Sequence, residues 1–351
     1  MLRSIRLNLL LAGTAALAMA SLPLAIRPAV AQEAPAASAE PKAPSTEAAD
    51  LGVLGVNLRD AVKLNYGFQG ALQGAGTPNQ AGIGAFIPLH VGSNGVAFVD
   101  VLVNANFSDY SAYSSIINTD VSGTTFSTST RLGYRWLNSN RSWMFGVNAG
   151  YDSRPMATGG TDTGVAVTGS QTVFFQQLAA GVEAVSNSWN FNAYALVPVG
   201  DTAQQLNSVY QGGALDTYGL DVGYSITPDL RASVGYYYQY RSQEHVNGSG
   251  VRGRLAYNLT NGLTVGANLS YDQAFDTRVS ADIKYRFGAN GYGAPSIRKQ
   301  QPVVMPVIQA LSTTPANRDV RVHDWSACEW LLIACALAGG GCELECDPRD
   351  Y

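Results

Sequence analysis

The sequence has few charged residues and no long hydrophobic run beyond its N-terminal region. Only 14% of its 351 residues are charged, whereas soluble globular chains average about 25%. This scarcity of charge argues against a typical cytosolic enzyme, and the 10% of aromatic residues argues against a disordered chain. The absence of an apolar stretch of about 18 residues excludes a helical membrane bundle. The balance of 22 basic and 26 acidic residues gives no indication of nucleic-acid binding.

Residues that commonly carry catalysis are also scarce. The chain has three histidines, scattered along its length, and four cysteines, all near the C-terminus. No G-x-S-x-G element, phosphate-binding loop, C-x-x-C pair or paired-carboxylate motif stands out. We therefore expect neither an enzyme nor a cofactor site.

What the chain does contain is alternation of apolar and polar residues, the pattern of β-strands. In the segment 277–287, for example, Val279, Ala281 and Ile283 alternate with polar residues. Twelve such segments occur, each longer than the usual soluble strand and long enough to cross a bilayer when tilted. They lie near residues 62–73, 81–90, 96–107, 125–137, 142–153, 172–185, 188–199, 215–226, 229–241, 249–258, 262–272 and 277–287.

The connections between these segments alternate between tight turns and longer polar loops. An even number of strands joined in this way is typical of outer-membrane barrels, whose tight turns lie in the periplasm. We therefore predict an all-β fold, an antiparallel transmembrane barrel of about 12 strands over residues 62–288. The alternative is a secreted β-sandwich in which one face of each sheet is exposed to solvent.

The N-terminal region predicts export to the outer membrane. Arg3 and Arg6 precede an apolar stretch, and Ala29-Val30-Ala31 supplies an A-x-A cleavage pattern, so residues 1–31 are expected to be a cleaved signal peptide. Residues 32–61 are rich in Ala and Pro and predict a mobile linker.

Under the barrel hypothesis, aromatic side chains should form girdles at the two membrane interfaces, and the inward polar side chains should line the lumen. The candidate girdle residues are Trp136, Trp143, Trp189, Tyr151, Tyr240, Tyr271, Tyr285 and Phe287. The candidate lumen residues are Arg131, Arg135, Arg231, Arg252, Arg254, Arg278, Arg286, Asp152, Asp221, Asp272 and Asp282. Such a lumen either is charge-paired internally, favours anions weakly, or holds a plug segment.

The block RLGYRWLNSNRSWMFGVNAGYDSRP at residues 131–155 resembles the barrel of the intimin/invasin family, the inverse autotransporters. The resemblance implies a twelve-stranded outer-membrane barrel, a linker that runs through the lumen, and a C-terminal passenger displayed outside. Here the passenger would be atypically short, because only residues 289–351 follow the barrel.

The C-terminal region divides into a linker, residues 289–322, and a Cys-rich module, residues 323–351. The linker is long enough to thread the lumen and equally able to stay in the periplasm. In the module, Trp325 to Ala338 predicts a short helix, and two disulfides are expected among Cys328, Cys335, Cys342 and Cys346. The alternative is a zinc site that includes His323, although the spacing lacks a close C-x-x-C pair.

Three functions remain open from the sequence. The first is a barrel that anchors and displays its own short tail, with an extracellular partner. The second is a porin-like channel with a weakly anion-favouring lumen, and the third is a metal-binding or enzymatic tail. The first two imply outer-membrane lipid and the barrel-assembly machinery as partners.

Overall fold

A computed structural model describes residues 56–74, 76–111, 113–241, 247–260, 262–288 and 306–326. Within these ranges the chain forms two short helices and 16 strands. The helices are α1 (Leu58–Ala61) and α2 (Pro306–Ala310). The strands are β1 (Asn65–Ala71), β2 (Gln80–Val91), β3 (Gly95–Asn106), β4 (Thr119–Ser122), β5 (Thr125–Leu137), β6 (Trp143–Thr161), β7 (Thr172–Ser186), β8 (Trp189–Pro198), β9 (Ala203–Gln205), β10 (Tyr210–Ala214), β11 (Asp216–Ser225), β12 (Leu230–Tyr240), β13 (Asn247–Thr260), β14 (Leu263–Asp272), β15 (Asp276–Phe287) and β16 (Val322–Ser326).

Twelve of these strands close into an antiparallel barrel, which confirms the predicted fold class. Their order is β1-β2-β3-β5-β6-β7-β8-β11-β12-β13-β14-β15, and β15 pairs back onto β1 with Phe68 opposite Tyr285. Closure gives each barrel strand a hydrogen-bonded neighbour on both sides, so the sheet has no open edge.

Strand alternation gives the barrel an apolar outside. On β5, Phe126 and Leu132 are exposed outwards, whereas Arg131 and Arg135 on the same strand are buried inside. On β12, Val234 and Tyr236 face out and Tyr237 faces in. A wall that exposes this much large apolar surface needs lipid rather than water around it. No helix in the described ranges is long and apolar enough to span a membrane.

The two ends of the barrel differ. The tight-turn end carries the connections β2–β3, β5–β6, β7–β8, β11–β12 and β13–β14, together with the start of β1 and the end of β15. The long-loop end carries the other connections. One of them contains β4, which pairs with the far end of β6, so β6 extends to Thr161 and not only to the predicted residue 153.

Residues 306–326, here called the lumen segment, lie inside the barrel. At the tight-turn end, Val307, Ile308 and Leu311 pack with Phe86, Phe98 and other residues of an apolar cluster that includes α1. At the long-loop end, Val320 and Val322 pack in a second apolar cluster, and β16 forms a three-stranded sheet with β10 and β9. The segment therefore runs through the lumen from one end to the other.

The structure departs from the predicted elements in three places. Helix α1 lies inside the segment 32–61 that was predicted to be a mobile linker, because Leu58 is buried in the apolar cluster. Helix α2 interrupts the linker predicted over residues 289–322, and β16 begins at its last residue, Val322. Trp325 was predicted to begin a helix but lies in β16, because β10 offers a pairing edge. The predicted signal peptide and the four cysteines expected to form disulfides lie outside the described residues.

Candidate functional site in the barrel lumen

The wall formed by β3, β5, β6 and β7, here called the covered wall, binds the lumen segment through buried arginines. Arg131 forms a bidentate ion pair with Asp152 at 2.7 and 2.8 Å, and its Nη2 also donates to the Asn317 carbonyl at 3.2 Å. Gln177 donates to the same Asp152 carboxylate at 2.9 Å. Arg131 and Asp152 are almost inaccessible to solvent, with side chains 2% and 1% exposed. These hydrogen bonds therefore have to offset the cost of removing both charges from water.

Arg135 repeats this arrangement nearer the tight-turn end. Its Nε donates to Glu183 at 2.7 Å, and its Nη1 donates to the carbonyls of Leu311 and Thr313 at 3.2 and 2.6 Å. The guanidinium also lies over the Phe98 ring, 4.6 Å from its centroid. Both arginines thus contact backbone carbonyls of the segment, which carry no information about side-chain identity.

Side chains of the segment supply the sequence-specific contacts. Arg318 Nη2 donates to Asp100 on β3 at 2.6 Å, and both side chains are buried. Asn317 accepts from Arg252 at 2.6 Å and donates to Asp221 at 3.2 Å. Gln80 donates to the Asp319 carboxylate at 3.2 Å. These contacts fix which residue of the segment lies at each level of the lumen.

The segment is also held at the long-loop end. Arg154 donates to the Val320 carbonyl at 2.9 Å. The fully buried Asp324 accepts from the backbone N–H groups of Asn118 and Thr119 at 2.9 and 2.6 Å. Burial, opposed by those hydrogen bonds, raises the pKa of Asp324 to about 6.

The wall formed by β11 to β15, here called the open wall, has ion pairs of its own. Arg252 pairs with Asp221, and Arg254 pairs with Asp282. The arginine side chains of these pairs are 26% and 29% exposed, far more than Arg131. Nearer the long-loop end, the Tyr237 hydroxyl donates to Asp272 at 2.6 Å.

A cavity of about 350 Å³ lies between the open wall and the lumen segment. Its lining includes Arg231, Arg254, Lys284 and Arg286 together with Gln309 and Thr313 of the segment. The lining extends to Pro228 and Gly262 in two tight turns, so the cavity occupies the tight-turn half of the lumen.

The residues predicted to line the lumen therefore fall into two groups. Arg131, Arg135 and Asp152 lie on the covered wall against the segment. The other predicted lumen residues lie on the open wall. One of them, Arg278, lies at the long-loop end and donates to the Ser114 carbonyl at 2.7 Å. This second group is Arg231, Arg252, Arg254, Arg278, Arg286, Asp221, Asp272 and Asp282.

Aromatic side chains cover the outer surface of the barrel near the tight-turn end. They form a continuous series of contacts across β5 to β11, with ring centroids 4.8 to 6.3 Å apart. At the barrel closure, Phe287 contacts Tyr66 and Tyr285 at 5.3 and 4.5 Å. The candidate girdle residues in these two groups are Trp136, Trp143, Trp189, Tyr285 and Phe287.

The remaining three girdle candidates lie elsewhere on the wall. Tyr240 and Tyr271 are exposed near the long-loop end, and the Tyr151 hydroxyl donates to Gln176 at 2.6 Å.

Sequence reasoning missed the residues of the lumen segment itself. Asn317, Arg318 and Arg321 lie within the predicted linker 289–322, which shows no alternation, so no strand pattern identified them. Their one signal is a short charged run, residues 318–321, in a chain with little charge. Within the described ranges, no three His, Cys, Asp or Glu side chains are grouped as metal ligands.

The closed barrel, its apolar outer surface and its polar lumen define a transmembrane β-barrel of the outer-membrane type. No protein-family model matches the chain, and no curated protein sequence is significantly similar to it.

Solved structures resemble the fold. A chain described under "Unveiling the Mechanism Behind the in-meso Crystallization of Membrane Proteins" is 12% identical, with a TM-score of 0.51, over 75% of this chain and all of that one. The KdgM porin is 9% identical, with a TM-score of 0.37, over 64% of this chain and 99% of its own. Outer membrane phospholipase A from Escherichia coli is 13% identical, with a TM-score of 0.35, over 66% of this chain and 96% of its own. At these identities the first similarity supports the barrel fold alone, and the other two scores carry no functional argument.

Proposed function

We propose that this barrel anchors in the outer membrane and carries its own C-terminal chain through its lumen, so that the residues after Ser326 are displayed outside the cell. The observation that carries the proposal is the path of residues 306–326. They begin in the apolar cluster at the tight-turn end and finish in the sheet with β10 at the long-loop end.

The direction of display follows from barrel topology. Outer-membrane barrels place short turns in the periplasm and longer loops outside. Residues 311–321, between α2 and β16, could extend over roughly 36 Å, which exceeds a hydrocarbon core of roughly 30 Å. A chain that follows this path emerges outside directly after β16.

This function agrees with the resemblance of residues 131–155 to inverse autotransporters, with a Cys-rich passenger. Under the proposal, residues 1–31 direct export and the barrel-assembly machinery inserts the barrel into outer-membrane lipid. The cysteines would face an oxidising exterior, where two disulfides among Cys328, Cys335, Cys342 and Cys346 are favoured over a zinc site with His323. An extracellular partner would bind the displayed tail. Neither a cofactor nor an enzymatic activity is part of this function.

The test is the accessibility of a C-terminal epitope tag on intact cells. We expect a membrane-impermeant protease to remove the tag without permeabilisation. As a matched control, the same tag inserted at Asn94 in the β2–β3 turn should be cut only after permeabilisation. If the C-terminal tag behaves like the Asn94 tag, the display function is wrong.

A porin-like channel is the second candidate, and the cavity beside the open wall favours it. The segment opposes free flow, because Arg252, Asp221 and Asn317 meet across the lumen. Planar-bilayer recording tests the channel function. Steady conductance by the intact chain would support the porin. Conductance that increases after deletion of residues 306–326 is expected of a porin whose lumen the segment plugs, so only the tag experiment supports display directly.

A further inference from the structure

We propose that the cavity in the tight-turn half of the lumen is a binding site for small multivalent anions that carry carboxylate or phosphate groups, reached from the periplasmic side. The site lies beside the path of the displayed chain, between residues 309–316 of the lumen segment and the tight-turn half of the open wall.

The first observation is an excess of cationic side chains. The cavity is lined by Arg231, Arg254, Lys284 and Arg286, against the acids Asp229 and Glu183. Glu183 is already neutralised by Arg135, and Arg254 by Asp282. Three cations and one carboxylate are left to face the cavity.

The second observation is the state of those cations. Arg231 and Lys284 are exposed to the cavity, and within the described part of the chain neither has a hydrogen bond or ion pair. Arg286 makes one long contact, to the Gly84 carbonyl at 3.4 Å. The Lys284 ammonium is desolvated by burial in the lumen, and it is attracted by Asp282 but repelled by Arg254, Arg286 and Arg318. An anion would relieve this repulsion and give the free donors charge-assisted partners.

The third observation is geometry. Lys284 and Arg286 are two residues apart on β15, which places their Cα atoms about 7 Å apart on the same face. Arg231 lies three strands away in the barrel order, about 14 Å across the wall. Long flexible side chains at these spacings can converge on one ligand that bears two or more anionic groups.

The size and polarity of the cavity fit such a ligand. A volume of about 350 Å³ is within the range of small-molecule sites, about 300 to 1,000 Å³. The amide side chains of Asn190, Asn192 and Asn258 also line it and can bond to hydroxyl or carboxylate oxygens. On the side of the long-loop end, the Arg252–Asp221–Asn317 layer crosses the lumen. The ligand would therefore enter and leave through the tight-turn end.

The test uses inorganic pyrophosphate as the probe and the purified full-length barrel in detergent, with isothermal titration calorimetry at constant ionic strength. The variant R231Q/K284Q removes two positive charges from the cavity. The matched control R59Q/K63Q removes two positive charges from exposed residues near the same end that do not line the cavity. Heat-modifiable migration on gels checks that both variants fold.

We expect the wild type to bind pyrophosphate and R231Q/K284Q to bind about tenfold more weakly for each charge removed, since each charge-assisted bond contributes about 1.5 kcal/mol. R59Q/K63Q should bind like the wild type. The site is disproved if the wild type does not bind, or if both variants lose affinity equally. The result is independent of tail display, because an external tag stays accessible whether or not the cavity binds an anion.

Discussion

The covered wall and the open wall carry the same alternation of residues but hold their charges in different environments. On the covered wall, Arg131 and Asp152 are almost inaccessible to solvent. On the open wall, Arg254 is 29% exposed beside the cavity. The difference comes from residues 306–326, which pack closely against the covered wall, contact the open wall through Asn317 and Arg321, and leave its tight-turn half facing the cavity. Burial in this lumen is therefore determined by the segment rather than by the strands.

This comparison also explains how the segment is held. Its two ends are in apolar clusters. Its middle forms ion pairs and carbonyl contacts with the covered wall, and Asn317 adds hydrogen bonds to Arg252 and Asp221 of the open wall. A buried ion pair is costly to form and very costly to break on one side only. The covered wall should consequently be sensitive to single charge deletions, and the open wall should tolerate them.

The largest effect should come from Asp152→Asn on the covered wall. It leaves the Arg131 guanidinium buried without a carboxylate, which costs about 3–5 kcal/mol. The matched change Asp282→Asn leaves Arg254 partly exposed and bonded to Asn268, so it should cost about 1 kcal/mol. Urea-induced unfolding in liposomes measures both free energies of unfolding, and equal losses would contradict the comparison.

A slightly smaller loss of unfolding free energy is expected for Arg318→Gln in the lumen segment. It leaves Asp100, which is fully buried, without its cation, at a cost of about 3–4 kcal/mol. The weakened segment should also give intermittent channel openings in planar bilayers. A variant that stays closed and unfolds at the wild-type urea concentration would show that the Arg318–Asp100 contact does not hold the segment.

The pH dependence of stability sharpens the comparison at the long-loop end, where the buried Asp324 pairs with no cation among the described residues. Its neighbour Asp162 adds repulsion, and burial together with Asp162 and Asp109 raises the pKa of Asp120 to about 6 as well. The native state therefore binds more protons than the unfolded chain between about pH 4 and 6, and the contribution of Asp324 to stability falls as pH rises through that window.

Asp324→Asn should remove this contribution. A pKa of about 6 against 3.8 in the unfolded chain corresponds to about 3 kcal/mol. Relative to the wild type, the variant should gain about that much stability between pH 4 and pH 7 in urea unfolding. His323 opposes the effect in the wild type, because burial and Arg278 lower its pKa to about 4, so its contribution is lost as pH falls from 6.5. A difference between variant and wild type that does not vary with pH would contradict the assignment.

The smallest effect is expected for Arg321→Gln. Arg321 belongs to the segment but faces the side of the open wall, where it lies 3.9 Å from Asp272 and over the Tyr237 ring at 4.4 Å. Although the pair is buried, its contact is long and Asp272 keeps its hydrogen bond from Tyr237, so the loss of stability should be about 1 kcal/mol. The free energies of unfolding of Arg321→Gln and Arg318→Gln should be measured under the same conditions. A larger loss of stability for Arg321→Gln would contradict the assigned difference between the two walls.

Much of the barrel was predictable from the sequence, because a period of two encodes a strand wherever the two faces differ. The segment 125–137 matches β5 at both ends. The extension of β6 was not predictable, since residues 154–161 pair with β4 and β7 through backbone groups. The β9-β10-β16 sheet also arises from pairing between segments distant in the chain.

Only the residues that the barrel wall contributes to the candidate site were predictable from the sequence. Alternation identified Arg131, Arg135 and Asp152 as inward-facing residues. It could not identify their partners, because Arg131 and Arg135 donate to backbone carbonyls of Asn317, Leu311 and Thr313, which any residue would supply. The sequence therefore left open whether the linker threads the lumen or stays in the periplasm.

The central claim is that the lumen segment reaches the long-loop end, and an engineered disulfide tests it most directly. Gln211 on β10 and Trp325 on β16 are paired residues, and such neighbours lie about 5 Å apart between Cα atoms, within reach of a disulfide. Q211C/W325C is made in a chain with Cys328, Cys335, Cys342 and Cys346 replaced by Ser, and N94C/W325C is the control at the tight-turn end. We predict a cross-linked species with altered migration on non-reducing gels for Q211C/W325C only. Cross-linking of N94C/W325C without cross-linking of Q211C/W325C would contradict the account.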